Sequence, residues 1–117
     1  YMKSILFLCS LILNNEIIAG GIIFSSVSPD MLENYKVAEH WLNLGYKYLA
    51  YLFVNPKYQK IGIGTFWLKE VLKKFPSQKF FLTIEDYMLK DFYISNNFKL
   101  ISELETKEGK NWLLAKI

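Results

Sequence analysis

The sequence has no arginine: all 14 basic side chains are lysines, set against 11 carboxylates. Arginine supplies the bidentate contacts to bases and phosphates that lysine cannot reproduce. With Lys73-Lys74 as the longest basic run, the small positive surplus argues against a nucleic-acid partner. It suits a local anionic ligand better. Cysteine is limited to Cys9, which excludes a disulfide scaffold and fits a reducing, cytoplasmic setting. Flanked by apolar residues and no base, Cys9 reads as a small inert hydrophobe. Histidine is limited to His40, on an amphipathic segment beside Trp41, which reads as structural. One histidine and no Gly-x-Ser-x-Gly argue against a hydrolytic triad. No Cys/His/Asp group has ligand spacing, so no metal is expected. Lys3 and the apolar run to Leu13 resemble a signal peptide, but no small-x-small cleavage site follows and the run is too short to span a bilayer.

What is present points to one domain of 117 residues with enough apolar surface for its own core. Two β-rich runs flank Asn14-Asn15, and Asn tolerates the positive φ of tight turns, so residues 3–26 are expected as a hairpin. Ser28-Pro29-Asp30 predicts a helix start with Ser28 as N-cap. That helix runs to about Asn43, stops at Gly45, and carries Leu32, Tyr35, Ala38 and Leu42 on one face. Tyr46 to Val54 is nearly uncharged and predicts a central strand buried on both faces. A helix from about Gly62 to Phe75 follows, with Leu68, Val71, Leu72 and Phe75 as its apolar stripe and Pro76 as its stop. Next come a strand at Lys79–Ile84 and a short helix capped by Asp86, ending near Asn96 and burying Leu89, Phe92 and Tyr93. Strands at Phe98–Leu104 and Asn111–Ile117, around a Glu108-Gly109-Lys110 turn, close the chain. The order ββ-α-β-α-β-α-ββ predicts an α/β (α+β) fold: a mixed, mostly antiparallel sheet covered by helices, with one parallel strand-helix-strand crossover.

The informative loop is Val54-Asn55-Pro56-Lys57-Tyr58-Gln59-Lys60-Ile61-Gly62-Ile63-Gly64-Thr65. It joins the central strand to a helix N-terminus, where free N–H groups attract anions and glycines admit a phosphate; Lys57 and Lys60 add charge. A dinucleotide loop needs a third glycine where Trp67 stands, and a P-loop needs a Gly-Lys-Ser/Thr that is absent. The pattern V-x-P-x-x-[QR]-x-x-G-x-[GA] does fit. With Phe92-Tyr93-Ile94-Ser95-Asn96-Asn97-Phe98 about thirty residues on, it resembles the GNAT superfamily of N-acetyltransferases. Asn97 replaces the usual glycine of the second motif, a mild change because Asn is next best for a left-handed cap.

The resemblance implies an acetyl-CoA-dependent N-acetyltransferase, in which an amine attacks the thioester directly. Leu52, Phe53 and Val54 would pair with the pantetheine arm, and the Val54 N–H would face the oxyanion. Gln59 matches a fixed loop position, and the amides of Lys60, Ile61, Gly62, Ile63, Gly64 and Thr65 would cradle the pyrophosphate. Tyr93 would protonate the departing thiolate, and Glu85 is the candidate base. The implied partners are acetyl-CoA and a small-molecule or peptide amine, with neither nucleic acid nor membrane. The alternative is a non-catalytic acetyl-CoA or CoA-binding regulatory module. The family usually begins with a strand and one or two helices before the hairpin. The chain therefore reads as a fragment or a reduced member, and its outer hairpin strand as an edge open to homodimer pairing.

Overall fold

The computed structural model describes residues 7–59 and 62–116, with side chains of the first strand from Ser10 onward. Lys60 and Ile61 of the expected phosphate cradle lie outside the described residues, as do the first residues of the expected hairpin and the Cys9 side chain. Among the described residues six strands form one sheet: β1 (Phe7–Leu13), β2 (Glu16–Phe24), β3 (Lys47–Val54), β4 (Phe80–Ile84), β5 (Phe98–Thr106) and β6 (Gly109–Lys116). Their order is β1-β2-β3-β4-β6-β5, and β3–β4 is the parallel pair in an otherwise antiparallel sheet. The mixed fold read from the sequence is the one observed.

Local chemistry explains the corners. Leu13 pairs with Glu16, so Asn14 and Asn15 form a two-residue hairpin loop, both at positive φ (51° and 63°). That geometry matches the twist of the flanking strands. Gly45, at φ 94°, ends the first helix as expected.

The segment after Ser28 departs from expectation. It forms a 3-10 stretch, Pro29–Asn34, before the α-helix α1 (Tyr35–Asn43). Ser28 makes no capping bond to the backbone; its hydroxyl donates to the Asp30 carboxylate instead. The 3-10 winding rotates the apolar face, so Leu32 and Tyr35 are exposed while Met31 and Ala38 are buried.

Two apolar layers sandwich the sheet. On one face, α2 (Ile63–Lys74) and α3 (Lys90–Ile94) cover Ala19, Ile23, Leu49, Leu82 and Leu114. The α2 stripe is as predicted, with Leu68 and Val71 buried and Leu72 and Phe75 packed at its margin. On the other face, the 3-10 segment and α1 cover Phe24, Tyr48, Ala50, Phe81 and Leu113. The last turn lies earlier than predicted: Thr106 pairs with Gly109, leaving Lys107-Glu108 as the loop. No helix among the described residues is long and apolar enough to cross a membrane.

Candidate active site

The central strand is not buried on both faces along its whole length, and the reason builds the site. Parallel pairing with β4 covers Lys47↔Phe80 and Tyr48↔Phe81; beyond that the two strands part. On its other edge β3 carries a bulge: Gly20 pairs with Phe53 and Ile22 with Ala50, so Tyr51 and Leu52 together oppose Gly21. Tyr51 takes a left-handed φ of 56° there.

One extra residue reverses which side chains face which layer. Before the bulge Leu49 joins the α2 layer; after it, Leu52 and Val54 do. Tyr51 is thrown to the opposite face, where its ring meets Phe24 edge-on at 6.1 Å. Tyr51 and Phe53 are exposed as a result, which corrects the uniformly buried strand expected from composition.

The backbone follows the same logic. The Asn55 N–H donates to Ile18 O at 2.8 Å, toward β2. Successive residues of a strand point their backbone groups to alternate edges, so those of Val54 and Leu52 face the gap left by β4. The Gln59 side chain confirms that direction, donating from Nε2 to Val54 O at 3.1 Å. The N–H groups of Leu52 and Val54 therefore stand along an edge without a strand partner.

At the end of β3, Asn55 accepts a bond from Lys57 N at 3.0 Å and starts the short Pro56–Tyr58 turn. Gly62 then adopts φ 86° as the residue before α2. The first α2 bond is Phe66 N to Gly62 O at 2.9 Å, so the N–H groups of Ile63, Gly64 and Thr65 precede the helical ladder. An added Cβ on Gly62 meets nothing within 4 Å, so its requirement is conformational rather than steric. Gly62→Val should lower stability by about 1–2 kcal/mol, several degrees in a thermal melt, and Gly62→Asn should cost less. Equal melting of the two variants would refute the left-handed assignment.

These pieces line one cleft of about 630 Å³, formed by Leu52, Phe53, Val54, Gln59, Gly62, Gly64, Thr65, Trp67, Leu68, Leu89, Phe92 and Tyr93. Of the expected site residues, eight are brought together there: Leu52, Phe53, Val54, Gln59, Gly62, Gly64, Thr65 and Tyr93. Ile63 turns into the core against the α2 layer instead. Glu85 lies in the bend beyond β4, exposed and away from the lining. Lys57 points elsewhere too, pairing with Glu16 at the start of β2 at 3.2 Å. Sequence reading left Trp67, Leu68, Leu89 and Phe92 out of the site. Leu89, expected to be buried, is exposed at the cleft's rim.

Tyr93 sits on α3, locked edge-on between Phe92 (4.9 Å) and Phe98 (5.8 Å). The helix ends through Ser95 and Asn96, whose side chains both donate to Phe92 O, and Asn97 supplies the left-handed residue at φ 70°. Burial pushes the Tyr93 phenol up to about 12. Its hydroxyl bonds to no described residue, while every sealed side-chain polar atom among the described residues is paired, so this hydroxyl opens to the cleft. The cleft thus combines an unpaired strand edge, a helix N-terminus and one neutral phenol.

This architecture is the GNAT fold. Among solved structures the chain is similar to Arabidopsis thaliana Naa50 in complex with the bisubstrate analogue CoA-Ac-MVNAL, at TM-score 0.63 and 16% identity. The match covers 89% of this chain and 68% of that one. It is similar to the ribosomal-protein-S18-alanine N-acetyltransferase from Escherichia coli (TM-score 0.64, 18% identity, 93% and 66% covered). An N-acetyltransferase from Staphylococcus aureus Mu50 superposes at TM-score 0.69 with 13% identity, covering 92% and 68%. The chain thus spans about two thirds of the length of these structures. No protein-family model and no curated protein sequence matches the chain.

Proposed function

We propose that this chain is an acetyl-CoA-dependent N-acetyltransferase acting on a primary amine. The observation that carries the reading is one cleft holding the free β3 edge, the α2 N-terminus and the Tyr93 hydroxyl. Extended pantetheine would lie along β3 as an added strand, using the Leu52 and Val54 edge. The diphosphate would meet the N–H groups at Gly62 to Thr65, with Gly64 allowing close approach. The Val54 N–H would stabilise the oxyanion.

In the reaction the amine nitrogen attacks the thioester carbonyl carbon, and the C–S bond then breaks. The sulfur leaves with the bonding pair and takes the Tyr93 proton; solvent returns one to the phenolate, and the amine's surplus proton leaves to water. In bulk water a phenol near 12 is too weak an acid for a thiolate whose conjugate acid lies near about 8.5. The burial that raises Tyr93 raises the thiolate as well, so their hydrogen bond strengthens as charge develops on sulfur.

A second reading is a non-catalytic CoA-binding module. It is favoured by the absence of carboxylate and histidine from the described residues lining the cleft. In the catalytic reading Glu85 would act only through the solvent at the strand end, and Glu85→Gln would change the rate little. Thermal melts with acetyl-CoA, CoA and NADH test the site. At about 100 times Kd a ligand adds roughly 2.7 kcal/mol, several degrees for a domain this size. Both CoA forms should shift the melt and NADH should not. No shift with either CoA form would overturn both readings, and binding without N-acetylated product would leave the second.

A further inference from the structure

The cleft lies on one face of the sheet, and the face opposite it carries a polar cluster where β3 and β4 part. Tyr48 is the last β3 residue paired to β4, and Thr83 lies two residues beyond its partner Phe81. Their hydroxyls meet at 2.8 Å across the point where the strands diverge. The Tyr48 hydroxyl donates to Asp30 Oδ2 at 2.9 Å, so its one proton is committed and Thr83 must be the donor of their shared bond. Ser28 donates to the other carboxylate oxygen. Two hydroxyls thus fix the Asp30 carboxylate from the buried side. Among the described residues no lysine pairs with it. Asp30 is exposed, and Tyr51, which the bulge turns to this face, brings its phenol oxygen to the Asp30 backbone. The Asp30 charge contributes to raising the Tyr51 phenol, after burial, which places carboxylate and ring in electrostatic reach.

We propose that Asp30 is the specificity-determining residue that receives the ammonium form of the acceptor, at the side of the β3–β4 gap facing away from the CoA cleft. This rests on the acetyltransferase reading. The chemistry is that of a carboxylate held by two hydroxyls, which selects a primary ammonium over a neutral or anionic group. Tyr48, Thr83 and Ser28 are positioning residues: they hold the carboxylate and do not themselves contact the amine. The ammonium received here would give up one proton to water, and the neutral nitrogen would then attack the thioester at the Leu52 and Val54 edge.

The test uses the CoA-saturated protein and two probes, phenethylamine and the tripeptide amide Ala-Ala-Ala-NH2, each compared with its N-acetylated, uncharged counterpart. In the wild-type protein the ammonium forms should bind and the acetylated forms should bind at least several-fold more weakly. Asp30→Asn should weaken ammonium binding roughly tenfold, as loss of one charge-assisted hydrogen bond would. Asp30→Glu should restore part of it. The acetyl-CoA melt shift should be the same in all three proteins, which also shows that the variants fold. Equal binding of charged and acetylated probes, no binding of either amine, or unchanged ammonium affinity in Asp30→Asn would overturn the assignment while leaving the CoA site intact. Loss of the acetyl-CoA shift in the wild-type protein would overturn the site reading and this one with it.

Discussion

Tyr93→Phe should lower turnover by about 10²–10⁴-fold and leave the acetyl-CoA melt shift unchanged. The hydroxyl bonds to no described residue, so its removal breaks no internal hydrogen bond. The ring contacts with Phe92 and Phe98 stay. The effect therefore falls on the chemical step, and steady-state kinetics should show it in kcat rather than in KM. A variant with wild-type turnover would remove Tyr93 from the mechanism.

The same residue makes a prediction about alkaline pH. Its phenol stands at about 12 in the fold and near about 10 in an unfolded chain. The unfolded state therefore loses its proton first. The stability held by the neutral buried form is complete below about pH 10 and declines as pH rises toward 12. Tyr48 is raised too, by burial and by the Asp30 carboxylate, and adds to that decline. Melts of wild type and Tyr93→Phe should diverge over that window and coincide below it.

Trp67→Ala should be the most damaging single truncation for stability, at about 3–5 kcal/mol. Against a total of about 5–15 kcal/mol for a domain, that is a large share, and the melt should fall by more than about ten degrees. The indole is 7% exposed, on the α2 side of the sheet. It lies over Gly21: a Cβ there would come within 2.8 Å of its Cη2 and 3.0 Å of Leu52 Cδ2. The glycine opposite the bulge leaves the space the indole fills, and the indole in turn forms part of the cleft wall. Gly21→Ala approaches the same contact from the other side and should cost about 1–3 kcal/mol. A Trp67→Ala protein melting within about three degrees of wild type would show that the cleft wall is not part of the core.

These two residues mark what could and could not be read from the chain. Positions whose backbone demands a special φ announce themselves. Asn14-Asn15, Gly45, Gly62 and Asn97 were all legible as turns or caps, and all four sites adopt positive φ. The α2 stripe was legible because four residues repeat at helical spacing. Tyr93 was found through its motif, since a tyrosine between apolar neighbours reads otherwise as core. The bulge at Tyr51 was not legible: no glycine or proline marks it, and Tyr48 to Val54 around it carry no charge. Without the bulge, nothing in Tyr46–Val54 distinguishes a residue facing the cleft from one facing away. Trp67 stands one position off the stripe, and its partner Gly21 is remote in sequence, so its double role depends on a tertiary contact. Leu32 and Tyr35 were misread because 3-10 winding was taken for α, which turns the face by about 20° per residue.

The brevity of the β3–β4 pairing also bears on how occupancy and rigidity are linked. β1–β2–β3 and β4–β6–β5 are two three-stranded plates joined along the sheet by a seam of two residue pairs. A ligand arm lying in the wedge beyond that seam would be bonded along one plate and packed against the other. It would serve as a missing segment of the weld rather than as a guest in a finished cavity. Loading would then stiffen the relative motion of the plates, and the empty protein would keep a soft bending mode hinged at Tyr48 and Phe81.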